Sequence, residues 1–168
     1  MLALIAMIIY IWFRFELTFG LMAILALFHD VLMIVGIFAL TGKEITMQII
    51  AALLTIVGYS INDTIVIFDR IREDMKKNRK DPIQEVFNRS INDTLSRTVI
   101  TGGTTFLTSA CLYFWGGSVI HDFAFAICLG IFFGTYSSIF VASNLVIDLN
   151  LITHKEKKTM QHLTKKKL

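Results

Sequence analysis

The sequence predicts an all-α membrane protein: a helical bundle of five transmembrane segments with a short cytoplasmic amphipathic helix. Two observations carry this reading. Hydrophobic residues make up 55 % of the 168-residue chain, above the roughly 45–50 % of an ordinary globular domain. They are also clustered. Ile45 to Phe68 is 24 residues with Asp63 as its one charge, Thr98 to Ile120 is 23 with none, and Phe123 to Ile147 is 25 with none. Leu17 to Gly42 carries only Asp30. A hydrocarbon core of ~30 Å takes about 20 helical residues, so each run is long enough to span it.

Taken in order, residues 1–13 are apolar, but at ~1.5 Å per residue they reach only about 20 Å. No basic region precedes them and no small-residue cleavage site follows, so a signal peptide fits poorly. They read as the remainder of a spanning helix whose beginning lies outside this chain. Spans follow at about 17–41, 45–69, 91–116 and 120–148. The bundle therefore occupies 1–150, interrupted by a cytoplasmic segment at 70–90 and followed by a basic tail at 151–168. Within the cytoplasmic segment, "RIREDMKKNRK" carries the preceding helix into water. "DPIQEVFNRSI" then has helix-start chemistry: Asp81 as N-cap, Pro82 at the first position and Gln84 three residues after the cap. Ile83, Val86, Phe87 and Ile91 recur at helical spacing, as in an amphipathic helix on the inner membrane face or in an ordinary connector.

Charge sets the orientation. Of sixteen Lys and Arg, eight lie between Arg70 and Arg97 and six between Lys155 and Lys167. The positive-inside rule places both segments in the cytoplasm. Two spans separate them, as that placement requires, and the count back puts the N-terminus outside and the C-terminus inside. The net charge of +3 thus reflects orientation against anionic lipid headgroups, and no nucleic-acid partner is needed to explain it. Cys111 and Cys128 fall inside predicted spans and form neither a CxxC nor a metal cluster. No cofactor or metal is expected.

The residues that carry chemistry are the charges within the spans. "GYSINDTIVIFDRIRE" places Asp63 seven residues before Arg70, roughly 10 Å inside the inner boundary. A carboxylate at that depth is costly; such residues face the bundle interior and mark ion pathways, or are held by a structural partner. "SINDT" recurs at Ser90–Thr94, but its flanks differ, so it is no duplication. It leads to Arg97, at a similar depth on the next, antiparallel helix. Arg97 can therefore meet Asp63, or pair with Asp93 four residues before it. Thr101, Thr104, Thr105 and Thr108 continue the face from Arg97. They either line a hydrated path or bond the carbonyl one turn back and pack a helix contact. In "FHD", Asp30 is a second intramembrane carboxylate beside His29. Asp63 and Arg97 are the ion-relay candidates. Asp30, Asn62, Thr64, Asp93, Thr101 and Thr105 are secondary candidates for a relay or polar path. Gly130 and Gly134 have a GxxxG spacing suited to close helix packing.

"FHD", "GYSINDTIVIFDRIRE", "NRSINDTLSRTVITGGTT", "GGSVIHDFAFAICLG" and "GTYSSIFVAS", in that order over about residues 17–149, resemble the transmembrane part of the SecF family of protein-export membrane proteins, or the SecF half of fused SecDF. The resemblance implies a resistance-nodulation-division type helix bundle in the bacterial cytoplasmic membrane, acting with SecD, the SecYEG channel and exported preproteins. It implies a proton-driven accessory to late steps of translocation rather than an enzyme, with Asp63 and Arg97 on the family's charged intramembrane positions. Asp93 departs from the pattern, standing where an uncharged amide is expected. The residues alone also fit a fragment of a proton-driven efflux transporter of the same superfamily, or a membrane scaffold that transports nothing.

Overall fold

The structure, a computed structural model, describes residues 17–78 and 81–149. The expected helix at 1–13 and the tail at 151–168 lie outside the described residues. Within them the secondary structure is helical: α1 (Leu17–Leu40), α2 (Met47–Lys77), α3 (Ile83–Trp115) and α4 (Ser118–Tyr136), followed by a π-helical segment, Ser137–Ala142. Three helices, Phe19–Leu40, Met47–Lys77 and Ser118–Leu149, are long and apolar enough to cross a membrane. α3, at 33 residues, is long enough but not among them. Hydroxyls and glycines (Thr101–Thr105, Thr108, Ser109) dilute its apolar half, so the expected span at 91–116 is less apolar than its neighbours.

The short amphipathic helix does not stand alone. Residues 83–91 are the first turns of α3, which runs without interruption to Trp115. Val86 and Phe87 are buried in the bundle, where Phe87 joins Phe68 and Ile71 in one apolar cluster. Continuing the helix spares its backbone the break that an interfacial turn would need, and its apolar stripe finds protein instead of lipid. The helix starts one residue later than expected, with Pro82 as its cap, and the Asp81 carboxylate instead accepts from Arg89 at 3.3 Å.

Two apolar clusters hold the bundle, one at each end. Phe19, Phe68, Ile71, Phe87 and Val146 pack at the end carrying the α2–α3 turn, where Phe19 and Phe68 meet edge to face at 5.2 Å. Ile34, Phe38, Ile49, Ile56, Ile127 and Ile131 pack at the opposite end. There Lys43, in the α1–α2 turn, is hydrogen-bonded to Asp122 near the start of α4. The GxxxG pair faces α2. A Cβ on Gly130 would lie 2.4–2.6 Å from the Ile56 side chain, and one on Gly134 3.2 Å from Ser60 Cβ. Glycine is what lets α4 approach this closely.

Candidate functional site: a polar layer between two apolar clusters

Between the clusters the inward faces become polar. Along α2, Ile56, Ser60, Asp63, Thr64, Ile67 and Ile71 are all buried, as the i, i+3, i+4 spacing of one helical face dictates. Opposite them, α1 contributes Asp30 and the π segment contributes Ser137 and Ser138, each 0–1 % exposed. Consecutive residues of an α-helix point about 100° apart, and a π turn changes that register. Here it leaves Ser137, Ser138 and Ile139 all buried in succession.

Asp30 accepts a 2.7 Å hydrogen bond from Ser60 Oγ and contacts His29 Nδ1 at 3.2 Å. Thr64 shares a 2.9 Å hydroxyl–hydroxyl bond with Ser138 and donates to the Ser60 carbonyl at 3.1 Å. Ser138 also reaches that carbonyl at 3.4 Å. Three hydroxyls and one carboxylate thus tie α1, α2 and the π segment together. The hydroxyl of Ser137 lies in this layer without a hydrogen-bond partner.

Asp63 is 5 % exposed, and its Oδ2 is buried without a hydrogen-bond partner. The charge acting on it is that of Arg97, across the α2–α3 boundary. Among the described residues the two form no direct ion pair. The structure brings them within electrostatic reach and stops short of contact. The alternative Asp93–Arg97 pair is not formed either. Arg70 holds Asp93, with Nη2 at 2.5 Å and Nε at 3.2 Å from Oδ2. Arg97 is exposed on α3. Thr101, Thr104, Thr105 and Thr108 follow it, each donating to the carbonyl four residues back at 2.8–2.9 Å. Local bonding is therefore what the threonines do, and apart from half-buried Thr105 they stay exposed. Asn62 is exposed as well and does not join the polar layer.

Sequence reasoning missed Ser60, Ser137 and Ser138. A legible signal existed: Ser60 precedes Asp63 and Thr64 by three and four residues, and paired serines interrupt an apolar run. In the sequence Arg70 reads only as the first cytoplasmic charge, and its partner on α3 is visible only in three dimensions.

Comparison with known proteins places the fold. The family described as protein export membrane protein SecD/SecF, C-terminal, matches residues 1–151. The chain belongs to the SecD/SecF family. The SecF translocase subunit of Rhodobacter capsulatus is 51 % identical over 156 residues, covering 93 % of this chain and 47 % of that protein. The SecDF translocase subunit of Thermus thermophilus is 58 % identical over 140 residues, covering 83 % of this chain and 19 % of that one. The crystal structure of SecDF, a translocon-associated membrane protein from Thermus thermophilus, superposes with a TM-score of 0.82 at 57 % identity, over 85 % of this chain and 20 % of that one. SecDF in its super-membrane-facing form gives 0.81 at 53 % identity, over 94 % and 21 %. The chain thus spans about half the length of the SecF relatives it matches and about a fifth of the SecDF chains.

Proposed function

We propose that this SecD/SecF-family chain is part of an accessory subunit of the bacterial Sec protein-export machinery. It sits in the cytoplasmic membrane, works with SecD and the SecYEG channel on preproteins, and couples the proton gradient to late translocation steps through Asp63 and Arg97. The observation that carries the reading is Asp63: a buried carboxylate in mid-bundle with an unpartnered oxygen, facing a guanidinium it does not touch. Structural carboxylates in low-dielectric surroundings are normally paired and fully hydrogen-bonded.

When Asp63 is ionised, its attraction to Arg97 draws α3 toward α2. Arg97 stays charged at any working pH, so a proton arriving on Asp63 removes that attraction and frees α3 to move. The cycle turns one proton into one change in helix contact. Asp30 and Thr64 are secondary members of the polar path, both held at Ser60, Asp30 by its hydroxyl and Thr64 by its carbonyl. Thr101 and Thr105 line the α3 side, where outward lone pairs are free to order water beside Arg97. Asn62, on the exposed side of α2, has no place in this path.

The test is export rate in the native membrane with and without a proton gradient, at matched protein abundance. Asp63→Asn keeps the volume and removes the titrating group, so the gradient-dependent part of the rate is expected to disappear while insertion persists. Undiminished gradient dependence in Asp63→Asn would sink the proposal.

A further inference from the structure

The pairing that sets Arg97 free deepens the reading just given and rests on it. Asp93 and Arg97 are four residues apart on α3, the spacing at which opposite charges on one helix attract. Left alone, Asp93 would stand one turn from Arg97 and would compete with Asp63 for it. That competition does not occur, because Arg70, from α2, takes Asp93 with two nitrogens on one oxygen. We propose that Arg70 is a positioning residue for the relay: by neutralising Asp93 it leaves the Arg97 charge to Asp63.

The same contact sets the register. Arg70 lies seven residues past Asp63, roughly 10 Å along α2, and Asp93 lies four before Arg97, roughly 6 Å along α3. The helices run antiparallel, so joining Arg70 to Asp93 brings Arg97 to within about 4 Å of the level of Asp63. A second contact nearby supports this placement. Buried Asp74, one turn beyond Arg70, accepts from Ser90 Oγ at 2.9 Å and lies 3.6 Å from Arg89 Nε. Arg70 therefore belongs to a latch of two carboxylates and two guanidiniums that locks the end of α2 to the start of α3. Its remaining contacts are Glu73 at 3.2 Å and Asp74 at 4.0 Å, both on its own helix.

The experiment compares four variants of the native protein in its own membrane, by export rate with and without a proton gradient at matched abundance. Arg70→Gln releases Asp93 to Arg97, and most of the gradient-dependent stimulation is expected to be lost. Asp93→Asn alone leaves Arg97 without a competitor and is expected to keep it. The double variant Arg70→Gln/Asp93→Asn is expected to recover it, because the competitor is gone although the latch contact is still missing. Arg70→Lys, which keeps the neutralising charge, is expected to stay close to the parent. If Arg70 merely stabilised the fold, the double variant would be no better than Arg70→Gln. That result, or an Arg70→Gln variant with full stimulation, overturns the inference. Asp63→Asn run alongside separates the two readings: if it keeps stimulation the relay itself is wrong, and if it loses stimulation while Asp93→Asn fails to rescue Arg70→Gln, only the role of Arg70 is wrong.

Discussion

Ser60 does at the residue scale what no apolar residue of similar size could do. Its hydroxyl donates to Asp30 across the α1–α2 boundary at 2.7 Å, and a donor to an ionised or polar buried oxygen counts for more than one at the surface. Removing it takes away the 2.7 Å bond and leaves Asp30 with the longer His29 contact and with Ser137 alongside. Stranding one partner of a buried hydrogen bond costs roughly 1–3 kcal/mol. Ser60→Ala is therefore expected to lower the thermal midpoint of the purified protein in detergent, with Ser60→Cys intermediate. A Ser60→Ala midpoint equal to that of the parent would mean that the Asp30–Ser60 bond adds nothing. Asp63 is the contrasting residue. Its Oδ2 has no hydrogen bond to lose, so Asp63→Asn is expected to show chiefly in coupling, with a smaller effect on stability than Ser60→Ala.

At the element scale the decisive contact is between α2 and α4. Ile56 sits where a Cβ on Gly130 would stand, at 2.4–2.6 Å from three of its atoms. Ile56 is β-branched, and within a helix it has little rotamer freedom with which to retreat. Gly130→Ala must then push the helices apart, at a cost of about 1–3 kcal/mol. The loss should appear as a lower unfolding midpoint, with partial recovery when Ile56→Val opens space. Gly103, whose Cβ would meet nothing within 4 Å, is the control: Gly103→Ala is expected to be neutral or slightly stabilising through helix propensity. Equal losses at Gly130 and Gly103 would show that close packing is not the cause. GxxxG spacing was legible from sequence because it needs only two positions on one helix. What it packs against was not, since Ile56 lies 74 residues earlier. The amphipathic stretch 83–91 failed for a related reason: periodicity identifies an apolar stripe without saying whether lipid or a neighbouring helix will cover it.

At the scale of the whole molecule, thirteen of the sixteen Lys and Arg residues lie in the two segments expected to be cytoplasmic, 70–90 and 151–168. The α1–α2 and α3–α4 turns share one end of the bundle, joined by Lys43 and Asp122. We expect that end to face outward. With Cys111 and Cys128 replaced by Ala, Ser118→Cys should react with a membrane-impermeant thiol reagent added outside intact cells. Reaction only after the cytoplasmic side is opened would invert the topology. Helical type and the position of rare charges within apolar runs were determined by the sequence alone, because each depends on local composition measured against a bilayer of known thickness. Asp63, Asp30 and Arg97 could be named on that basis. Their partners were decided only by tertiary structure. Asp30 goes to Ser60 and Asp93 to Arg70, while Asp63 faces Arg97 without touching it. A side chain's choice of partner is a competition among all polar groups within a few ångströms, and which groups those are depends on how distant helices lie against one another.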